Sequence, residues 1–569
     1  MFCTKRKFRD LLPYIIVVLL TVLAYFPTFT GDFILDDNPL VKDNLYIRTF
    51  HSIHSYLIQE DGVLIKEEGT EHTGYYRPLI NLLYCIDYKI WGQKAPGFRF
   101  TNLILHLASC FVIYRFLLLL ANSRDAAFWS TLIFALHPIN TESVSWITSR
   151  NNILVTLFSV SSFYFYVNAM KKRDYVLMAI SVILFAGAIF SKEFGLLLVP
   201  ILFFYWRLFS SEKANISTEI FSYIPFIVLI VCFFMLRFKA TGTFLSPVEA
   251  GNIWKRVCYT PYIVAFNFYL AILPIGLHSF VIQYPDNWLN YKLFAGTIVL
   301  ILIGSLILVK RNEKLMVFGL LSFILALFPV LNIIPTSAVS LISMRWLYFP
   351  LAFLMAAICW CLVKSLKKNR FIALGVCVPV IVYFGFYTYV LNKTLWHDEY
   401  TLYRQEVLNW GNMALAGGLA EHFLDEKKYE ESEAWFMIAI ERYPDNAKNY
   451  INYSALLLEK SRLDEAMRVL NEAKSLNMTS RAKAEWHNNM GKLYFDLKNS
   501  EEALSHFRKS VKLWPEVARF WGNLGAAYGA LGEYKKAISA LKKGLEIEPD
   551  LTELRRNLAL AYRSLGGHQ

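Results

Sequence analysis

FIALGVCVPVIVYFGFYTYVLNKTLWHDE, residues 371–399, is where two kinds of chain meet. Residues 371–391 are an apolar run of the kind that crosses about 30 Å of hydrocarbon as a helix of roughly 20 residues. Near Asn392 the chain turns polar and alternating. Working back toward the N-terminus, similar runs recur at 11–29, 100–120, 126–136, 152–170, 175–190, 194–210, 219–238, 291–309, 315–331 and 347–363. An all-α, multi-pass bundle of about eleven spans is therefore expected over residues 1–392. The first run follows the basic segment Lys5–Arg9 and has no small-residue cleavage site after it, so it reads as a retained anchor.

The 569-residue composition points the same way. It is 56% hydrophobic and 18% charged, with a mean hydropathy of +0.36, against about 45–50% and about 25% in soluble domains. A single soluble core and a disordered chain are both excluded. The net charge of +13 sits in short clusters such as Lys5-Arg6-Lys7, Lys171-Lys172-Arg173 and Lys367-Lys368. Clusters between apolar runs mark cytoplasmic loops rather than a nucleic-acid surface, so no nucleic-acid partner is expected. Together with Arg124, Arg207, Lys213, 310–314 and 364–370 they fall on one side of an eleven-span chain. The N-terminus is then cytoplasmic and the C-terminal half external. Counting Tyr259–Pro274 as a span would put Lys310-Arg311 and Lys367-Lys368 outside, so a re-entrant or surface-lying segment is expected there. Eight scattered cysteines suggest neither a disulfide framework nor a zinc site, and Cys85 with Cys258 is the one pair that the topology would allow.

Beyond the junction, a linker helix is expected over 393–412 and a repeat domain over 413–569. Gly491 and Gly525, Tyr494 and Tyr528, Ala503 and Ala537, and Pro515 and Pro549 are each 34 residues apart. That period, with these residue types, is the tetratricopeptide (TPR) signature. Ser432, Phe436, Ala439 and Pro444, then Ala466, Leu470 and Ala473, continue the phase toward the N-terminus, with a short insertion at 478–483. Four repeats over 413–551 and a closing helix over 552–566 are expected, with Trp435, Tyr453, Trp486 and Trp521 as packing residues. Such a solenoid offers a concave face to a protein partner. Asn-x-Ser/Thr at Asn392, Asn452 and Asn477 is short enough to arise by chance.

Ionisable residues at membrane depth are candidates for function. Several fall near the outer ends of proposed spans. Leu35-Asp36-Asp37 lies in the long first outer loop, 31–98, where Pro78–Trp91 reads as an amphipathic helix. Tyr76-Arg77-Pro78-Leu79, His137 to Glu142, Ser191-Lys192-Glu193, and Met344-Arg345-Trp346-Leu347-Tyr348-Phe349-Pro350 follow. Each has a plainer reading. Asp37-Asn38-Pro39 is a good helix start, Lys192 a snorkelling lysine, Arg345 an interfacial anchor, and His137 a span end.

In these motifs, and in Trp396-His397-Asp398-Glu399 before the repeats, the chain resembles the transmembrane and TPR-containing (TMTC) O-mannosyltransferases of the GT-C class. Met344 stands where that family usually has an acidic residue and Trp346 where it has tyrosine. The array is shorter than in animal members, which suggests a bacterial relative. The resemblance implies an inverting transfer of a mannose-like sugar from a polyprenyl-phosphate carrier to a hydroxyl, on the external or lumenal face. A bacterial inner membrane with periplasmic repeats is expected, or the endoplasmic reticulum with lumenal ones in a eukaryote. It implies Asp36 or Asp37 as the base, Lys192, Arg345 and Arg77 at the donor phosphate, and His137, Glu142, Glu193 and Tyr348 orienting sugar or acceptor. No metal ligand is expected: an acidic pair can hold Mg²⁺ or Mn²⁺, but a donor without pyrophosphate lowers the need. Other functional readings are a membrane-anchored TPR scaffold for envelope assembly, and the same enzyme class acting on a glycolipid or polysaccharide.

Overall fold

A computed structural model describes residues 2–44, 46–58, 76–210, 216–242, 253–277, 291–331, 333 and 342–566, and its long elements are all helices. Two compact units divide between Leu402 and Tyr403.

In the first unit every expected apolar run lies in a helix. Seven helices among the described residues are long and apolar enough to cross a membrane: Leu12–Thr30, Ala95–Ala121, Ile147–Lys172, Glu219–Thr241, Tyr291–Val309, Met344–Lys368 and Arg370–Thr394. Tyr175–Ser191 and Lys314–Val330 are shorter apolar helices. The protein is thus a multi-pass membrane protein. Of the stretch expected to be re-entrant or surface-lying, residues 259–272 lie in a helix, Ile253–Ile272, that contains Pro261 and packs along Tyr291–Val309.

Short turns make sequential spans antiparallel neighbours. Asn122 and Arg173 close Ala95–Ala121 and Arg150–Lys172 in left-handed conformations, with φ of 47° and 54°. Asp174 then caps Tyr175–Ser191 by accepting the N–H groups of Val176 (2.9 Å) and Leu177 (3.2 Å), a cap worth about 1 kcal/mol. The hub is Met344–Lys368, 78% of whose apolar window is buried, against 11% for Tyr291–Val309 at the lipid-facing edge. Phe116, Phe163, Phe318 and Phe353 interlock around the hub, with centroids 5.1 Å apart for Phe116–Phe163 and 6.0 Å for Phe116–Phe353.

One end of the bundle carries Lys364–Glu313 (3.0 Å) and Arg370–Asp125 (3.8 Å). The opposite end gathers the loops that follow the Phe2–Tyr25 and Tyr175–Ser191 helices and precede Arg150–Lys172 and Tyr348–Lys368. Cys85 and Cys258 are both free, and Cys85 is buried with its thiol donating to the Thr49 carbonyl at 3.2 Å, so they do not pair. Asn392 is also buried, accepting from Ser145 and donating to the Ala24 carbonyl, which leaves no room for a glycan.

The second unit contains helix pairs Ala416–Asp425 and Tyr429–Arg442, Ala447–Glu459 and Leu463–Lys474, Ser480–Asp496 and Ser500–Leu513, and Ala518–Ala530 and Tyr534–Ile547, then Thr552–Gly566. These are four hairpins and a closing helix. A Cβ on Gly525 would stand 2.6 Å from Leu541 Cγ, and one on Gly491 2.7 Å from Phe507 Cδ1. Glycine there lets each first helix lie close against its second. Pro444, Pro515 and Pro549 each sit two residues beyond the end of a second helix, where proline prevents its continuation.

Candidate active site

The acidic pair follows a tight exit from the first span. Gly31 lets the chain approach closely: a Cβ there would meet Arg99 Nη1 at 2.1 Å and the His397 carbonyl oxygen at 2.3 Å. Buried Arg99 donates to the carbonyls of Thr28 (2.8 Å) and Asp32. Leu35 then takes φ 49°, a left-handed turn closed by Asp37 N–H to Ile34 O at 2.9 Å and Asn38 N–H to Leu35 O at 3.1 Å. A non-glycine residue held in this region stores strain, and here it turns two adjacent carboxylates in different directions.

Asp37 points inward. It is fully buried, and its carboxylate accepts the N–H of Thr148 at 2.9 Å and of Ile34 at 3.3 Å. Burial pushes its carboxyl up to about 7, against the opposing pull of the Thr148 N–H and of Arg99. It precedes the short helical turn Asn38–Lys42 without capping it by its side chain. Asp36 points outward and is exposed, yet it lies in a recess deep enough that surrounding protein raises its pKa, with Arg345 countering.

Arg345 is fixed by Glu142. The buried Glu142 carboxylate accepts from Arg345 Nη1 at 2.5 Å, from the Arg345 backbone N–H at 2.8 Å and from Ser343 Oγ at 2.7 Å. The guanidinium lies 4.7 Å from the centre of the Trp146 ring, a cation–π contact. Trp396 stacks behind Trp146 at 6.3 Å and donates to Thr141 Oγ1 at 3.1 Å.

Lys192 ends its helix in extended backbone, so its side chain turns into the protein. It is only 4% exposed, donates to Asn152 Oδ1 at 2.5 Å and lies 3.9 Å from the Phe194 ring centre. Burial first, then the nearby charges of Arg77 and Arg345, holds its pKa well below that of an ordinary lysine, while Glu193 and Glu142 oppose the shift. Glu193 bridges Arg77 (3.2 Å) and Arg237 (3.1 Å). Asp36, Arg77, Glu142, Lys192, Glu193 and Arg345 thus belong to one electrostatic group.

Two expected residues stand apart from it. His137 is buried, with Nδ1 accepting the Ile139 N–H and Nε2 donating to the Ala271 carbonyl. Tyr348 is buried and donates to His106 Nδ1 at 2.6 Å, while His106 Nε2 donates to the Ala135 carbonyl. A carbonyl only accepts, so each histidine carries a proton on Nε2, and both ring nitrogens of each are engaged within the protein.

Residues 73–237 match the model of the dolichyl-phosphate-mannose-protein mannosyltransferase family, and residues 482–550 match a tetratricopeptide repeat model. A protein O-mannosyl-transferase of Caenorhabditis elegans is 25% identical over 367 residues, 61% of this chain and 51% of that protein. Protein O-mannosyl-transferase TMTC2 of Mus musculus is 28% identical over 158 residues, 27% of this chain and 18% of that protein. A TPR protein of Thermus thermophilus is 22% identical over 31% of this chain and 93% of its own, with a TM-score of 0.26. In its bundle the chain is thus similar to protein O-mannosyl-transferases, TMTC2 among them. The chain spans about half the length of the worm relative and under a fifth of the mouse one.

Arg345 lacks an acidic neighbour at Met344, and Glu142, 203 residues away, holds it instead. The residue the motifs passed over is Arg237, which pairs with Glu193 and is only 4% exposed. Its signal was a charge inside a largely apolar helix, Ile216–Thr241, which also carries Glu219 in its first turn and Lys239 in its last. Buried Arg150 and Asp87 pair, with Arg150 also donating to Asn102 Oδ1 at 2.6 Å. They tie Pro78–Trp91, Ala95–Ala121 and Arg150–Lys172 into one scaffold behind the site.

Proposed function

We propose that this chain is an inverting GT-C glycosyltransferase that moves mannose from a polyprenyl-phosphate carrier to a serine or threonine hydroxyl of a protein. The observation that carries this reading is the pairing of an exposed carboxylate, Asp36, with a group of cations at the same end of the bundle. The family model that matches residues 73–237 is named for a dolichyl-phosphate-mannose donor, which agrees with that charge pattern.

In the proposed reaction the acceptor oxygen attacks the anomeric carbon as its proton passes to Asp36. The bond from that carbon to the phosphate oxygen breaks on the opposite face, and polyprenyl phosphate leaves with the electron pair. Lys192 and Arg345, with Arg77 and Arg237 behind, stabilise the growing negative charge. Fixed cations in a desolvated site need no reorganisation at that moment. A phosphate oxygen beside Lys192 would favour its charged form. Asp37, Glu142 and Glu193 act as positioning residues for the loop, for Arg345 and for Arg77. The site faces the external or lumenal side, in a bacterial inner membrane, and the repeats hold the acceptor protein or a partner.

The test is transfer of labelled mannose from dolichyl-phosphate-mannose by the full chain in membranes. Asp36→Asn is expected to lose at least about 10²-fold in rate, the low end for general-base removal. Full activity of Asp36→Asn removes the base assignment.

A further inference from the structure

Asp36 reaches outward because the preceding residue holds a left-handed turn, and that turn is braced from the far end of the bundle domain. Glu399 Oε1 accepts the Leu35 backbone N–H at 2.8 Å and Asn38 Nδ2 at 2.9 Å. One carboxylate oxygen therefore clamps the residues on both sides of the acidic pair. Next to it, the Asp32 N–H donates to the His397 carbonyl at 2.9 Å. Glu399 opens the helix Glu399–Arg404, whose start is fixed by Asp398 accepting the Thr401 N–H at 2.8 Å. Three residues earlier, Trp396 is fully buried behind Trp146, the ring on which Arg345 rests.

We propose that Glu399 is the positioning residue of the Asp36 loop, so that the segment leading into the repeats is part of the support of the catalytic carboxylate. This rests on the reading of Asp36 as the base. An N–H given to an ionised acceptor is among the stronger hydrogen bonds. Without it the Leu35 turn relaxes toward negative φ and Asp36 swings away from Arg345. The bonds of Glu399 to Leu35 and Asn38 act on the turn that carries Asp36, so donor binding is expected to stay intact.

The experiment compares Glu399→Leu, Glu399→Gln, Asn38→Leu and Asp36→Asn in the full chain. It measures mannose transfer from dolichyl-phosphate-mannose and amide hydrogen exchange over residues 33–38. Glu399→Leu is expected to lower kcat at least tenfold with donor KM within twofold, and to speed exchange over 33–38 at least tenfold. Glu399→Gln keeps an acceptor oxygen and is expected to stay within threefold of the parent in both. Asn38→Leu removes one of the two bonds and is expected to give a smaller change in the same direction, which carries the test should Glu399→Leu not fold. Unchanged exchange in Glu399→Leu and in Asn38→Leu overturns the proposal, as does Glu399→Gln falling as far as Glu399→Leu. Faster exchange in Glu399→Leu alongside full activity of Asp36→Asn upholds the brace and overturns the base assignment instead.

Discussion

In the repeats a buried polar side chain finds its partner close by in sequence; at the polar end of the bundle it does not. Ser432 Oγ donates to the Ala420 carbonyl 12 residues away, Trp486 Nε1 to Leu470 16 away, and Ser510 Oγ to Ala484 26 away. In the bundle, Thr148 reaches Asp37 across 111 residues, Arg345 reaches Glu142 across 203, and Leu35 reaches Glu399 across 364. The repeats are a one-dimensional stack in which each unit answers to its neighbour. The polar end of the bundle exists only when most of the domain is assembled, and so damage should spread differently in the two.

The sharpest contrast is expected from the buried pair behind the site. Arg150→Leu leaves Asp87 charged and buried, at a cost of about 3–5 kcal/mol, and Arg150→Leu with Asp87→Leu together should cost less than either alone. Thermal unfolding in detergent, followed by a probe in the bundle, checks this; a double variant no better than the singles breaks the coupling. In the repeats, Gly525→Val drives a side chain into Leu541 and is expected to cost about 1–3 kcal/mol. Hydrogen exchange should rise in the Ala518–Ala530 and Tyr534–Ile547 hairpin and leave Tyr429–Arg442 at the parent rate. Uniform loosening across all four hairpins would contradict a nearest-neighbour stack.

A further effect is a pH slope at the acidic pair. The folded Asp37 carboxyl titrates at about 7 against an ordinary value of 3.8. It binds its proton more tightly folded than unfolded. Its contribution to stability is fully present below pH about 4 and is lost as pH rises through about 7. Asp37→Asn should flatten the fall in unfolding temperature between pH 5 and pH 8. An unchanged slope would show that another group carries it.

The same contrast explains what could be read from the chain. Helices were legible wherever the apolar period was long, and the hairpins were legible residue by residue, because Gly491, Ala503 and Pro515 repeat their roles 34 positions on. The charged residues gathered at the polar end were legible as a set of motifs, since charges at span ends are costly and few. The division of labour between Asp36 and Asp37 was not. It depends on the φ of Leu35 and on a Thr148 amide that local sequence cannot bring near. The inward turn of His137 and Tyr348 was not legible for the same reason: a polar side chain beside a site looks the same in sequence whether it faces the site or a buried partner. Arg237 lay in plain view within an apolar helix, outside every motif.

The central claim is a split between a carboxylate that takes a proton and cations that hold the phosphate. Affinity for dolichyl phosphate, measured on the purified full chain, separates them in one experiment. Asp36→Asn is expected to bind it as the parent does, and Lys192→Gln to bind it at least tenfold more weakly. Weakened binding in Asp36→Asn with parental binding in Lys192→Gln would contradict the account.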